Sequence, residues 1–289
     1  MIALPLSIIC STYLVLCFKY FERFGIKNLP AIAFNYITCV ITGLLVSRNM
    51  PDVAVVIHKL WFPYAAFLGC CFFCIFNLMG YVASNIGVTV TSVASKLSMV
   101  IPVTVAVFLY HDSFTLFKLI AVLLALVAVY LTSITEESHE KHLELRGLIL
   151  AFLIFLGSGM NDSLVNYATV KLMSASEFNM FNIVIFFFAS LCGIFTLFVQ
   201  GIFRRQTIPL KAVVGGVALG VPNYFSLLFL IQALRIPGWN SSVIFPVNNM
   251  GVVVLTAVCA FLLFREKLSK KNLIGIALAV LAITLMIFA

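Results

Sequence analysis

The sequence predicts an all-α integral membrane protein of ten transmembrane helices, arranged as two inverted five-helix repeats. Three observations carry this reading. Of 289 residues 63% are apolar and only 10% charged, with a mean hydropathy of +1.16, whereas a soluble domain carries roughly a quarter charged residues. Several apolar runs reach or approach the ~20 residues needed to cross ~30 Å of hydrocarbon. They are continuously apolar, as in FFFASLCGIFTLFV at 186–199, where transmembrane strands would alternate. Finally, segments of the first half recur in order in the second.

The expected helices cover about 2–20, 29–47, 60–82, 87–110, 116–134, 147–170, 178–202, 211–234, 239–264 and 272–289. The first has no basic segment before it and no A-x-A-like site after it, so it reads as a helix and not as a signal peptide. Polar or basic turns separate the others. The net charge of +8 sits mostly in these short connections, which topology and anionic headgroups explain without nucleic acid. Odd-numbered connections hold twelve Lys and Arg residues and even-numbered ones five. By the positive-inside bias the odd side, and not the termini, is cytoplasmic.

The repeat is visible when KLIAVLLALVAVYL, 118–131, is set over NLIGIALAVLAITL, 272–285. Leu119, Ile120, Leu124, Ala125, Ala128 and Leu131 recur as Leu273, Ile274, Leu278, Ala279, Ala282 and Leu285. The same offset pairs Asp112 with Glu266 in polar turns, and a slightly shorter one pairs Phe34-Asn35 with Phe181-Asn182 and Tyr20 with Tyr167. Residues 1–134 and 147–289 would be the two repeats, joined by the hydrophilic linker 135–146. An odd number of helices per repeat makes the second enter the bilayer from the opposite side, so the halves can rock about a midplane site.

Polar groups at depth are the candidate site. Lys96, in TSVASKLSMVIPV, lies about nine residues into the fourth run and so roughly 13 Å deep, where a lysine costs ~2.5–3.5 kcal/mol to insert. On an unbroken helix Thr89, Ser92, Lys96 and Met99 share one face, which makes a polar stripe of the first three. Snorkelling of Lys96 to an interface is the competing reading. The second deep charge is Asp162 in GSGMNDSLVNYATVK. Ser158, Asp162 and Asn166 stand four residues apart on one face, and Gly157 and Gly159 permit close approach of a neighbouring helix. Asp162 could carry protons or act as counter-ion to Lys96. Asn35, with Thr38 and Thr42, lines the second helix. Asn182 repeats Asn35 in the seventh, Asn223 follows Pro222, and Asn248 and Asn249 follow Pro246. Such amides either line a cavity or tie helices together.

Other chemistries lack their residues. The cysteines Cys10, Cys17, Cys39, Cys70, Cys71, Cys74, Cys192 and Cys259 all fall within apolar runs, and the Cys71–Cys74 pair has no histidine nearby. Packing is the expected role of these thiols. His58, His111, His139 and His142 lie in or beside connections and make no metal-ligand pattern. Gly216 and Gly220 form a GxxxG suited to packing. Phosphate-binding loops and hydrolase motifs are absent, so neither an enzyme nor a cofactor or metal is expected.

Two repeats that each close with an acid-containing turn, YHDSFTLFKLIAVLLALVAVYL and LFREKLSKKNLIGIALAVLAITL, resemble the EamA-like branch of the drug/metabolite transporter superfamily over nearly the whole chain. The family's first helix bears a W-G pair followed by lysine; here Ser11-Thr12 precede Lys19. Asn35 stands where relatives carry arginine, and Pro102 is nearer the acidic turn than the usual helix-four proline. These departures argue against aromatic or drug-like substrates. The resemblance implies a central cavity, export or exchange of small metabolites, and both termini in the cytoplasm, opposite to the charge count; by analogy it favours an anion for Lys96.

The expected protein is therefore a secondary transporter of a small polar or anionic metabolite, working by alternating access with proton coupling or exchange. Its substrate-binding residues would be Lys96, Ser92, Asn35, Ser158, Asn166, Asn182, Asn223, Asn248 and Asn249, with Asp162 as coupling acid or counter-ion. A structural membrane protein whose polar groups only pack helices, or a non-gated pore, are the alternatives. The partners are the substrate and the lipid bilayer, with a homodimer left open, and the short loops fit a bacterial cytoplasmic membrane.

Overall fold

A hydrocarbon solvent leaves each backbone amide to find its partner within the chain, and helices are how this sequence meets that demand. The computed structural model describes residues 2–47, 53–86, 88–110, 115–133, 145–204, 208–264 and 269–288. Among them the regular elements are helical throughout: α1 Ala3–Arg23, α2 Asn28–Val46, a single turn α3 Val53–Val56, α4 Phe62–Asn85, α5 Val88–Leu97, α6 Val100–Tyr110, α7 Leu116–Ser133, α8 Leu145–Tyr167, α9 Phe178–Arg204, α10 Leu210–Ala233, α11 Ser241–Phe264 and α12 Lys270–Phe288. Nine segments among the described residues are long and apolar enough to cross a membrane, and Leu116–Thr132 is a shorter apolar helix beside them. Asp112, Glu266, His111, His139, His142 and nearly all of the linker lie outside the described residues, as does the side chain of Thr89.

Two departures from the expected helices bear on function. The fourth run is not continuous: it breaks between α5 and α6 at Ser98–Met99, just past Lys96 and Leu97. Pro102 has no N–H to return to the Ser98 carbonyl; that carbonyl instead accepts from the Ile101 N–H at 2.9 Å, and the Met99 N–H turns back to the Lys96 carbonyl at 3.3 Å. Because of the break, Met99 does not continue the polar stripe of Ser92 and Lys96. It is fully buried with Ala125, Ala128, Val129, Met250, Ala279 and Ala282. The second departure is at the end of α8, where Ala168–Leu172 winds as a π-helix, followed by a 3₁₀ turn at Ala175–Glu177.

Small residues set the packing. The repeated alanines Ala125, Ala128, Ala279 and Ala282 meet one another where α7 lies along α12, so the positions that recur in the sequence form a shared interface. At its end the Asn272 amide donates to the Thr132 carbonyl at 2.9 Å. Helix α10 packs on α2 through the GxxxG: a β-carbon at Gly216 would come 2.6 Å from the Ala31 carbonyl oxygen, and one at Gly220 2.7 Å from that of Asn35. On α8, Gly157 admits Ile75 of α4 and Gly159 admits Ile101 of α6. The largest core joins α2, α4, α9, α10 and α11 around Tyr36, Phe181, Phe186, Tyr224 and Phe245.

Gly220→Val should therefore destabilise the protein by about 1–3 kcal/mol, because the neighbour is backbone and cannot move aside. Gly201→Val, with nothing within 4 Å of its β-carbon, should stay close to wild type; reversible unfolding in mixed micelles measures both.

Candidate functional site

Lys96 occupies the last turn of α5, where the carbonyl end of the half-helix carries partial negative charge and favours a cation. At the break the turn itself meets this end: the Ser98 hydroxyl donates to the Ser95 carbonyl at 2.6 Å and the Met99 N–H to that of Lys96 at 3.3 Å. Its ammonium donates to the Asn249 side-chain oxygen of α11 at 3.3 Å, a contact made across the two halves of the chain. Lys96 is half-buried and Asn249 buried, so the ammonium meets its partner inside the bundle and not on its outer surface. Pro246 lies within α11 one turn before Asn249, and the adjoining Asn248 buries a side-chain oxygen that has no partner.

Asp162 stands opposite on α8, which packs against both α5 and α6. It is half-buried. Lys96 and Asp162 stand on the packed helices α5 and α8, yet among the described residues they form no direct ion pair and nothing donates a hydrogen bond to the carboxylate. Two opposite charges held near one another without contact leave both able to engage a third group. Ser92, one turn before Lys96, and Ser158, one turn before Asp162, are half-buried as well, which gives each charge a hydroxyl on its own helix face. Asn161, beside Asp162 but off that face, is buried with its side-chain oxygen unpartnered.

The remaining asparagines are engaged elsewhere. Asn35 is fully buried and accepts from the Asn223 amide at 3.1 Å and from the Cys39 thiol at 3.8 Å. Asn182, its repeat equivalent, is equally buried and donates to the Tyr224 carbonyl at 3.0 Å. The Tyr224 hydroxyl in turn donates to Asn179. These groups form a second polar network among α2, α9 and α10. Thr38 and Thr42 bond back to carbonyls of their own helix, at 2.8 Å each. Asn166 shares the face of Asp162 but is fully buried, and it accepts from Ser241 at the start of α11 at 2.8 Å.

Sequence reasoning missed four of these groups. Asn161 lay within the stretch singled out for Asp162, yet fell off its four-residue face. Asn179 and Ser241 sit near helix starts, where polar residues carry little signal. Lys118, counted with the loops, is buried at the start of α7, at the repeat position of Asn272. Among the described residues no three potential metal ligands converge, and the eight cysteines are free thiols.

Comparison with known proteins adds the family. Residues 1–134 match the model of the EamA-like transporter family, which belongs to the drug/metabolite transporter superfamily. An uncharacterized protein of Haemophilus influenzae is 25% identical over 281 residues, covering 96% of this chain and 94% of that protein. A protein crystal structure superposes with a TM-score of 0.73 at 12% identity, covering 99% of this chain and 96% of the other, so the two share a fold. The apolar helices and this match over the first half indicate a multi-pass membrane protein, and the members of the matched family are transporters.

If the Asn35–Asn223 bond ties α2 to α10, alanine at both positions should show a coupling energy of about 0.6–1.7 kcal/mol in a double-mutant cycle. Asn35 paired with Asn249 should show none; the same unfolding assay reads both cycles.

Proposed function

We propose that this chain, whose residues 1–134 belong to the EamA-like transporter family, is a secondary transporter moving a small polar or anionic metabolite by alternating access. The observation that carries this reading is the unpaired couple of Lys96 and Asp162, with Lys96 reaching across to Asn249 of the other half. An anionic group on the substrate would take the Lys96 ammonium, with Ser92, Asn249 and Asn248 supplying hydrogen bonds from α5 and α11. Asp162, with Ser158 beside it, would be the coupling acid or the counter-ion that holds Lys96 charged between substrates. Asn35, Asn182, Asn223 and Asn166 would brace the helices that carry these groups.

The architecture proposed is two inverted five-helix repeats, residues 1–134 and 147–289. Exchange of the halves supports it: α2 packs on α10 as α9 packs on α4, α1 on α10 as α8 on α4, and α1 on α11 as α8 on α5 and α6. The pairs α7–α12, α2–α9 and α6–α11 are their own counterparts. Lys96 and Asn249 thus meet where the fourth and ninth spans cross, near the expected axis. A broken helix at this depth is the kind of backbone that membrane proteins tolerate where it lines a binding site. The proposed location is a bacterial cytoplasmic membrane.

Proteoliposome flux tests the reading. A carrier saturates and accelerates when substrate is present on the far side; a pore does neither, and a structural protein moves nothing. Lys96→Met should reduce flux to the level of protein-free liposomes while insertion and thermal unfolding stay as in wild type, and full flux in that variant removes Lys96 from the site. Asp162→Asn should abolish uptake driven by a proton gradient and retain exchange if the acid carries the proton. An unchanged response to the gradient leaves it a counter-ion.

A further inference from the structure

A set of contacts beyond the charged couple converges on the π-wound end of α8. Arg235, just after α10, directs its guanidinium at that segment: Nε donates to the Thr169 carbonyl at 3.0 Å and Nη2 to the Met173 carbonyl at 2.5 Å. Ser241 at the start of α11 holds Asn166 one turn earlier. From the other half, Tyr64 of α4 packs at a tilt against Tyr167, with ring centroids 5.6 Å apart. Lys59, ahead of α4, pairs with Glu177 at 2.9 Å just past the π-turn, and Glu177 also caps Ser174. All of these groups lie at the end of the bundle that bears the connections α2–α4, α8–α9 and α10–α11.

The same segment buries polar atoms that nothing meets. The Asn166 side-chain nitrogen and the Thr169 hydroxyl are both enclosed without a partner, although both residues are fully buried. Enclosing unpaired polar groups opposes the closed arrangement, so it persists only because the surrounding contacts hold it. A π-turn carries an extra residue in its winding, and such turns occur frequently at functional sites. Relaxation to α-helical winding would re-register Thr169 against Asn166 and Asp162 and let water reach the enclosed atoms.

We infer that the π-turn Ala168–Leu172 is the latch of this mouth of the bundle, with Arg235 as the positioning residue that locks it and the Lys59–Glu177 pair as its tie to the other half. The inference rests on the alternating-access reading for its purpose, since a latch at one mouth has use only where the mouth opens. Release of Arg235 unwinds the π-turn and turns the Asp162 face of α8; closure restores the two carbonyl contacts. Ser241 and Asn166 move with it.

Hydrogen exchange of the full chain in lipid nanodiscs, followed by mass spectrometry, tests the latch without substrate. Arg235→Ala should raise exchange across 166–173 roughly tenfold, as local opening does, and Arg235→Lys should restore part of the protection. Lys59→Met, which touches neither Arg235 nor the π-turn carbonyls and places no second carboxylate beside the Glu177 that caps Ser174, should raise exchange of the same segment about threefold or more. The proposal is overturned if Lys59→Met leaves 166–173 at the wild-type rate, because Arg235 is then a local tie only. It is equally overturned if Arg235→Lys protects no better than alanine, or if Arg235→Ala exchanges as wild type. Should Arg235→Ala fail to insert, the other two variants decide. A wild type that moves no solute would sink the carrier reading and leave these exchange rates standing.

Discussion

The candidate site depends on where an ammonium can rest at the depth of the hydrocarbon core. Lys96 meets that constraint in three ways at once. It sits in the last turn of a half-helix, whose carbonyl end favours a cation; it donates to an amide oxygen of α11; and an acid stands on α8, which packs against α5. Each of these requires the fourth span to stop where it does. Pro102 provides the stop, and the tight turn at Ser98–Met99 sends the chain on while Met99 fills the alanine seam of α7 and α12. Charge, helix break and small-residue packing are therefore one arrangement.

Much of the fold was legible because lipid imposes a coarse grammar. Backbone polar groups must be met within each crossing, so crossings read as apolar runs, and the repeat shows because Ala125, Ala128, Ala279 and Ala282 have to be small for α7 and α12 to touch. The GxxxG of α10 is legible for the same reason, since only hydrogen fits against the carbonyls of Ala31 and Asn35. The break after Lys96 was also written in the sequence, in Pro102 four residues past Ser98, but hydropathy averaged over the run conceals it. The π-turn of α8 has no such mark, and the groups that meet it and the turn before it, Arg235 and Ser241, do so through tertiary contacts.

The site divided along the same line. Deep charges announce themselves by their insertion cost, and Lys96 and Asp162 stood out on that ground alone. Amides do not, because an asparagine in a membrane helix is equally suited to a cavity and to a neighbouring helix. Asn35 and Asn182 are equivalent by repeat, yet one engages a side chain and the other a backbone carbonyl, both away from Lys96. Asn249 follows Asn248 in sequence, and only the packing of α11 against α6, beside the end of α5, decides that the former receives the ammonium. Partners of this kind depend on helix rotation, which periodicity fixes only for an unbroken helix.

The central claim is that the region around Lys96 is reached by water at the depth of the hydrocarbon core. Its most direct measurement is the reactivity of Lys96→Cys, in a chain whose eight native cysteines are replaced by alanine, toward charged and toward lipid-soluble thiol reagents in sealed membranes. The account predicts modification by the charged reagent from one aqueous side. Reaction with the lipid-soluble reagent alone, or no reaction with either, would contradict it.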